Sequence, residues 1–153
     1  MIINVFIKSS FLIFVLVGGI THTLFAHADD VLYVVGHSSH SAKTLSKQEI
    51  QNIFLGRIRS FPNGQAVTPM NLRKGSEGRR IFMEKILKIN EFTWRSNWVR
   101  LLFTGKGKPP KELQNAQAVI DYVSQKKSAL AYFIGPEQDF EDITVFNVVY
   151  LGD

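Results

Sequence analysis

Thr68-Pro-Met-Asn-Leu-Arg-Lys-Gly-Ser-Glu-Gly-Arg-Arg-Ile-Phe82 reads as three pieces in succession: the end of a strand, a glycine-containing turn and the first turn of a helix. Val67 to Leu72 is compatible with extended backbone, and Gly75 breaks it. Ser76 is a good N-cap, because its hydroxyl can accept a backbone N–H of the first helical turn. From Ile81 onward the apolar residues fall at helical spacing, with Phe82, Ile86 and Ile89 on one face and Met83 and Leu87 beside it. A helix start of this kind exposes free N–H groups and the positive end of a dipole, a general anion site. Arg73, Lys74, Arg79 and Arg80 add positive potential around it. The plainer alternative is an ordinary cap, since most helices that begin at Ser, Thr, Asp or Asn hold no ligand.

Working outward, Ala66 to Met70 resumes extended structure after the turn signal Pro62-Asn63-Gly64. Before it, Thr44 or Ser46 caps a short helix whose inner face is Ile50, Ile53 and Phe54, ended by Gly56 as a left-handed cap. His37-Ser-Ser-His-Ser41 is a polar loop, and Val31-Leu-Tyr-Val-Val35 is an apolar run of the buried-strand type. On the other side, Asn90 to Phe103 is a helix with Trp94, Trp98, Leu101 and Leu102 on its packed face. Thr104-Gly-Lys-Gly-Lys-Pro-Pro110 is a basic turn without phosphate-loop spacing. Leu113, Ala116, Val119, Ile120 and Val123 make a third helix running to about Lys127. Ala129-Leu-Ala-Tyr-Phe-Ile134 is a second buried strand, stopped by Gly135-Pro136, and Ile143 to Leu151 is the last. Alternating strands and helices predict an α/β layered domain with a small mixed sheet.

The chain has 153 residues and suits one domain. Its first 28 residues read as a secretory signal peptide. Lys8 precedes the apolar run Phe11-Leu-Ile-Phe-Val-Leu-Val17, and Ala26-His27-Ala28 is an A-x-A cleavage site. Gly18, Gly19, Thr21 and His22 cut the run short of the roughly 20 apolar residues of a spanning helix. The expectation is a mature domain over 29–153, in the periplasm. Losing Lys8 leaves 17 Lys and Arg against 13 acids, a net charge of +4. That balance favours anionic partners but is too diffuse for nucleic acid. With no cysteine the exported domain has no disulfide and no thiol chemistry, so its core alone must hold it together.

Catalytic constellations are lacking. His37 and His40 sit three apart in a loop without further ligands nearby in sequence. Glu137, Asp139, Glu141 and Asp142 cluster without calcium-loop spacing. There is no nucleophile-elbow or zinc-protease motif. The sequence is read as a non-enzyme with no cofactor and no metal.

Several segments together resemble the phosphate-binding proteins of ABC phosphate importers. They are Leu45-Ser-Lys-Gln-Glu-Ile-Gln-Asn-Ile-Phe-Leu-Gly56, Arg57-Ile-Arg-Ser-Phe-Pro62, Val67-Thr-Pro69, Arg73-Lys-Gly-Ser76 ahead of Phe82, Trp98 to Pro110, and Ala129 to Gly135. The resemblance covers nearly all of the mature chain and is nearest to short periplasmic proteins of substrate-binding type. It implies a single lobe of the type II periplasmic-binding-protein fold, a small mixed sheet flanked by helices, with Val31–Val35 and Ala129–Ile134 as neighbouring crossing strands. A full member has two lobes and about twice the length, and the first lobe, with its share of the phosphate ligands, has no counterpart here.

By the same resemblance, Arg73 corresponds to the family's phosphate-contacting arginine and Ser76 to the serine of its turn. The spacing between them is one residue short. Glu77 stands where the family has glycine and Gly78 where it has threonine. The implied function is reversible, weak binding of phosphate or a similar oxyanion by Arg73, Ser76 and the N–H groups of Glu77 and Gly78, linked to ABC import. Ser38 and Ser39 are further candidates at the same edge. The rival is an interaction module that has lost its ligand and docks to a membrane transporter or sensor. Whether two copies pair as a homodimer stays open.

Overall fold

The computed structural model describes residues 30–40 and 44–151. The signal-peptide and cleavage readings lie outside these residues. In chain order the elements are β1 (Asp30–His37), α1 (Lys47–Phe54), β2 (Thr68–Leu72), α2 (Glu77–Phe82), α3 (Glu91–Phe103), β3 (Lys111–Leu113), α4 (Ala116–Gln125), β4 (Ala129–Pro136) and β5 (Ile143–Tyr150).

The five strands form one mixed sheet in the order β3-β2-β4-β1-β5. Strands β3, β2 and β4 run parallel, and β1 runs antiparallel to both β4 and β5. The two apolar runs are neighbours as expected, paired from Asp30 opposite Pro136 to Gly36 opposite Leu130. They occupy the inner part of the sheet because their side chains are apolar on both faces. Val31 to Val35 and Ala129 to Phe133 are all buried. A single α/β lobe with helices against a small mixed sheet is the fold.

Helix starts follow local chemistry. Ser46, not Thr44, caps α1: its Oγ accepts from the Glu49 N–H at 3.2 Å, and Glu49 Oε2 accepts from the Ser46 N–H at 2.7 Å. Gly56 ends that helix at φ 71°, and a Cβ there would meet the Trp98 ring at 2.8 Å. Helix α2 does not continue regularly. It passes into a π-helical turn, Met83–Leu87, whose Ile86 carbonyl accepts from Gln51 Nε2 at 2.8 Å. Lys88, left-handed at φ 57°, closes it. Ile89 therefore falls beyond the helix instead of extending its face. The buried face itself holds: Phe82 stacks on Tyr132 with centroids 3.7 Å apart, and Phe54 packs on Phe82 edge-on at 4.7 Å.

Two expectations are corrected. Leu113 belongs to β3, paired with Leu72, and the last helix starts only at Ala116. Asn115 sets that start, its Oδ1 accepting from the Ala118 N–H at 2.9 Å; the helical spacing of Leu113 is coincidental. Leu102 is 50% exposed, whereas Trp94, Trp98 and Leu101 are buried.

Candidate anion-binding site

The turn between β2 and α2 is held by backbone hydrogen bonds and by Glu112, whose Oε2 accepts from the Lys74 N–H at 3.2 Å. The Arg73 N–H donates to the Leu113 carbonyl at 2.9 Å, extending the β2–β3 pairing by one residue. The Ser76 N–H donates back to the Arg73 carbonyl at 3.2 Å, a closure that Gly75 permits at φ 81°. Ser76 is then extended, and its Oγ accepts from the Arg79 N–H at 3.4 Å as the N-cap. The Glu77 and Gly78 amides lie in the first helical turn, where N–H groups have no acceptor within the helix.

A second helix opens beside this one. Asn90 caps α3, its Oδ1 accepting from the Thr93 N–H at 2.9 Å. Ser76 and Asn90 both line one hollow of about 990 Å³, together with Lys74, Glu77, Arg80 and Lys88. Two helix starts therefore face the same space, each with a partial positive charge.

Most of the fixed charge around that space is already neutralised. Arg79 is buried, and it donates from Nε to Glu91 Oε2 at 3.0 Å and from Nη2 to Glu91 Oε1 at 2.7 Å. Its Nη1 reaches the Leu72 carbonyl at 3.0 Å and also pairs with Glu112. Burial pulls the Arg79 pKa down, but the hydrogen bonds and charges of Glu91 and Glu112 outweigh it, and the net shift is upward. Arg80 lies 3.1 Å from Glu84 and 3.7 Å from Glu77. The expectation that Arg79 adds free positive potential is therefore corrected: its charge ties α2, α3 and β3 together. Lys74 and Lys88 have no ion-pair partner among the described residues.

Of the site residues named from sequence, Ser76 and Glu77 line the hollow. Arg73 is exposed and lies outside its lining. Gly78 is buried beneath it, where a Cβ would sit 2.6 Å from Leu72 Cδ1, so its lack of a side chain serves the packing of α2 on β2. Ser38 and Ser39 are elsewhere. Because β1 runs against β4 and β2, its last residue His37 lies at the end of the sheet where β2 begins, opposite Leu72 and Ser76. The expectation that Ser38 and Ser39 share the edge of Ser76 is corrected on that ground. Sequence reading missed Glu91, Glu112 and Asn90. Asn90 is a helix-start signal legible in principle, but Glu91 and Glu112 stand 12 and 33 residues from Arg79, and no local pattern joins them.

This architecture is one lobe of a type II periplasmic-binding-protein fold. Among solved structures the chain is similar to a substrate-binding protein of the phosphate ABC transporter type, with bound phosphate, from Clostridium perfringens, at 16% identity and TM-score 0.61, over 78% of this chain and 45% of that one. It is similar to an ABC-type phosphate transport receptor from Vibrio cholerae at 12% identity and TM-score 0.59, over 78% of this chain and 47% of that one. It also resembles PstS from Borrelia burgdorferi at 10% identity and TM-score 0.52, over 70% and 41% of the two chains. This chain thus spans under half the length of each, and at these identities the likeness is one of fold. No protein-family model and no curated protein matches it.

Proposed function

We propose that this chain is an exported, single-lobe relative of phosphate-binding proteins that holds phosphate or a related oxyanion weakly and reversibly, without chemistry. The observation that carries the reading is the convergence of two helix starts, at Ser76 and Asn90, on one hollow with Lys74 and Lys88 beside it. Free N–H groups and flexible cations suit an oxyanion. The solved neighbours, phosphate transport proteins, support the choice of ligand and an ABC transporter as partner. Arg73, next in sequence to the lining residue Lys74, reaches the anion as its counterpart in the resemblance implies. Weakness follows from the carboxylates: Glu77, Glu84 and Glu91 line the same hollow and repel the ligand. Export rests on the leader at 1–28, and the processed chain then begins at Asp29 in the periplasm.

Calorimetric titration with phosphate and with sulfate at low ionic strength tests this. Arg73→Ala lowers affinity by about tenfold or more, the size of a lost charge-assisted pair. Glu77→Gly raises affinity, and the gain shrinks as salt screens the removed repulsion. Absence of saturable binding to either anion, in wild type and in Glu77→Gly, refutes the reading. The alternative, a docking module without a ligand, draws on one specific observation, the apolar side chains exposed along α3.

A further inference from the structure

Helix α3 is apolar on two faces. Trp94, Trp98 and Leu101 are buried against the lobe. Phe92, Val99 and Phe103 recur at i, i+7 and i+11, which places them together on the opposite side of a helix with about 3.6 residues per turn. Their exposures are 71%, 46% and 86%, and Leu102 at the flank is 50% exposed. Scattered exposed apolar residues are common on any protein, but an aligned stripe containing two phenylalanines is not accounted for by the fold.

The charge around the stripe that lacks an ion-pair partner among the described residues is positive. From Phe92 to Lys111 the chain carries Arg95, Arg100, Lys106, Lys108 and Lys111 and no acid, in a protein with 13 acids elsewhere. Arg95 and Arg100 flank the stripe on the helix. Lys106 is bound to the helix end, its N–H donating to the Leu101 carbonyl at 2.8 Å across Gly105 at φ 65°. The carboxylates on either side in sequence, Glu91 and Glu112, are both held by Arg79. None of the five cations forms an ion pair among the described residues.

From the stripe and its flanks together, we infer that the outer face of α3 docks onto a lipid surface containing anionic headgroups, with Phe92, Val99 and Phe103 dipping into the interface and the basic residues meeting phosphates. Interfacial helices have this composition, an aromatic and aliphatic face bordered by arginine and lysine. A second copy meeting this face symmetrically would bring Arg95 and Arg100 against their own copies, which opposes self-association. Phe92 and Phe103 protrude from the surface, and a lipid interface receives protruding groups. The inference is independent of the anion site at Ser76 and survives or fails without it.

The chain has no cysteine, so Ser96→Cys introduces a single thiol beside the stripe, and Gln125→Cys on α4 supplies a control position. A nitroxide at each is read in the full-length chain, and the difference between the two positions separates α3 from any contribution of the N-terminal apolar run. With phosphatidylglycerol vesicles, the oxygen accessibility of the Ser96→Cys label rises several-fold relative to that of a water-soluble nickel chelate. It does not change with phosphatidylcholine vesicles, and the control label changes with neither. Phe92→Ser combined with Phe103→Ser abolishes the response while leaving the thermal midpoint in place, because both rings lie outside the core. No response to anionic vesicles, or an equal response to neutral ones, overturns the inference. So does spectral broadening without lipid that grows with protein concentration, which would mark a second copy. Shielding without lipid at every concentration would mark cover by the chain's own N-terminal segment and overturn it equally.

Discussion

At the hollow beside Ser76 most fixed charges have a partner, with Lys74 and Lys88 the exceptions, whereas on the outer face of α3 neither Arg95 nor Arg100 has an ion-pair partner among the described residues. Arg79 spends its guanidinium on Glu91, Glu112 and the Leu72 carbonyl, and Arg80 lies between Glu77 and Glu84. Arg95, Arg100, Lys106, Lys108 and Lys111 stand in solvent without a carboxylate among the described residues. The same residue type does different work in the two places. A buried, doubly paired arginine joins three elements and is withheld from ligands. An exposed, unpaired one adds little to stability and remains available to an anionic partner.

Removing a partnered charge should produce the largest effect. Arg79→Ala leaves Glu91 and Glu112 facing each other without a cation. Breaking a fully buried pair costs about 3–5 kcal/mol, and because these carboxylates are more than a third exposed, about 2–3 kcal/mol is expected. The measurement is the shift in urea midpoint. Arg95→Ala is the matched control on the other side of the comparison, expected to fall within about 0.5 kcal/mol of wild type. Equal losses from the two substitutions would erase the distinction between the regions.

Next in size is the cap. Ser76→Ala removes the acceptor for the Arg79 N–H and is expected to cost about 1 kcal/mol. Asn90→Ala should cost a similar amount at the start of α3, about 1 kcal/mol. If capping is all that Ser76 does, its loss leaves anion titrations unchanged; a loss of both stability and affinity assigns it to the ligand as well.

A buried titratable group offers a third case. His40 lies between Phe61 and Phe146, with both ring nitrogens buried. Burial lowers its pKa below the ordinary 6.5; Gln65 and the Lys127 backbone oppose that shift, the charge of His37 adds to it, and the net direction is downward. The folded state therefore prefers neutral imidazole, while the unfolded chain takes up a proton as pH falls through the ordinary value. Stability is full above that value and declines as pH drops toward the depressed one. Urea midpoints taken on either side of the ordinary pKa should show this loss, and His40→Leu should reduce it. An unchanged slope in the variant would mean that His40 is not its source.

The smallest effect is expected on the outer face of α3. Phe103→Ser is predicted to change stability by about 0.5 kcal/mol or less, since an 86% exposed ring removes little apolar area from water on folding. A thermal midpoint several degrees lower would mean the ring is packed in solution, and the contrast between the two regions would fail there.

Much of this molecule is legible from its sequence because the deciding interactions are local or periodic. Continuous apolar runs at Val31–Val35 and Ala129–Phe133 specify strands buried on both faces. Ser46, Ser76 and Gly56 act on backbone within a turn of themselves, and structure bears out all three as helix boundaries. Tertiary structure alone decided the rest. The direction of β1, set by its pairing with β4, sends Ser38 and Ser39 to the end of the sheet away from Ser76. Pairing with β2 made Leu113 an edge-strand residue in spite of its helical spacing. Glu91 and Glu112 turned Arg79 from a source of local positive potential into a buried link, because Coulomb attraction depends on distance in space and is blind to separation along the chain.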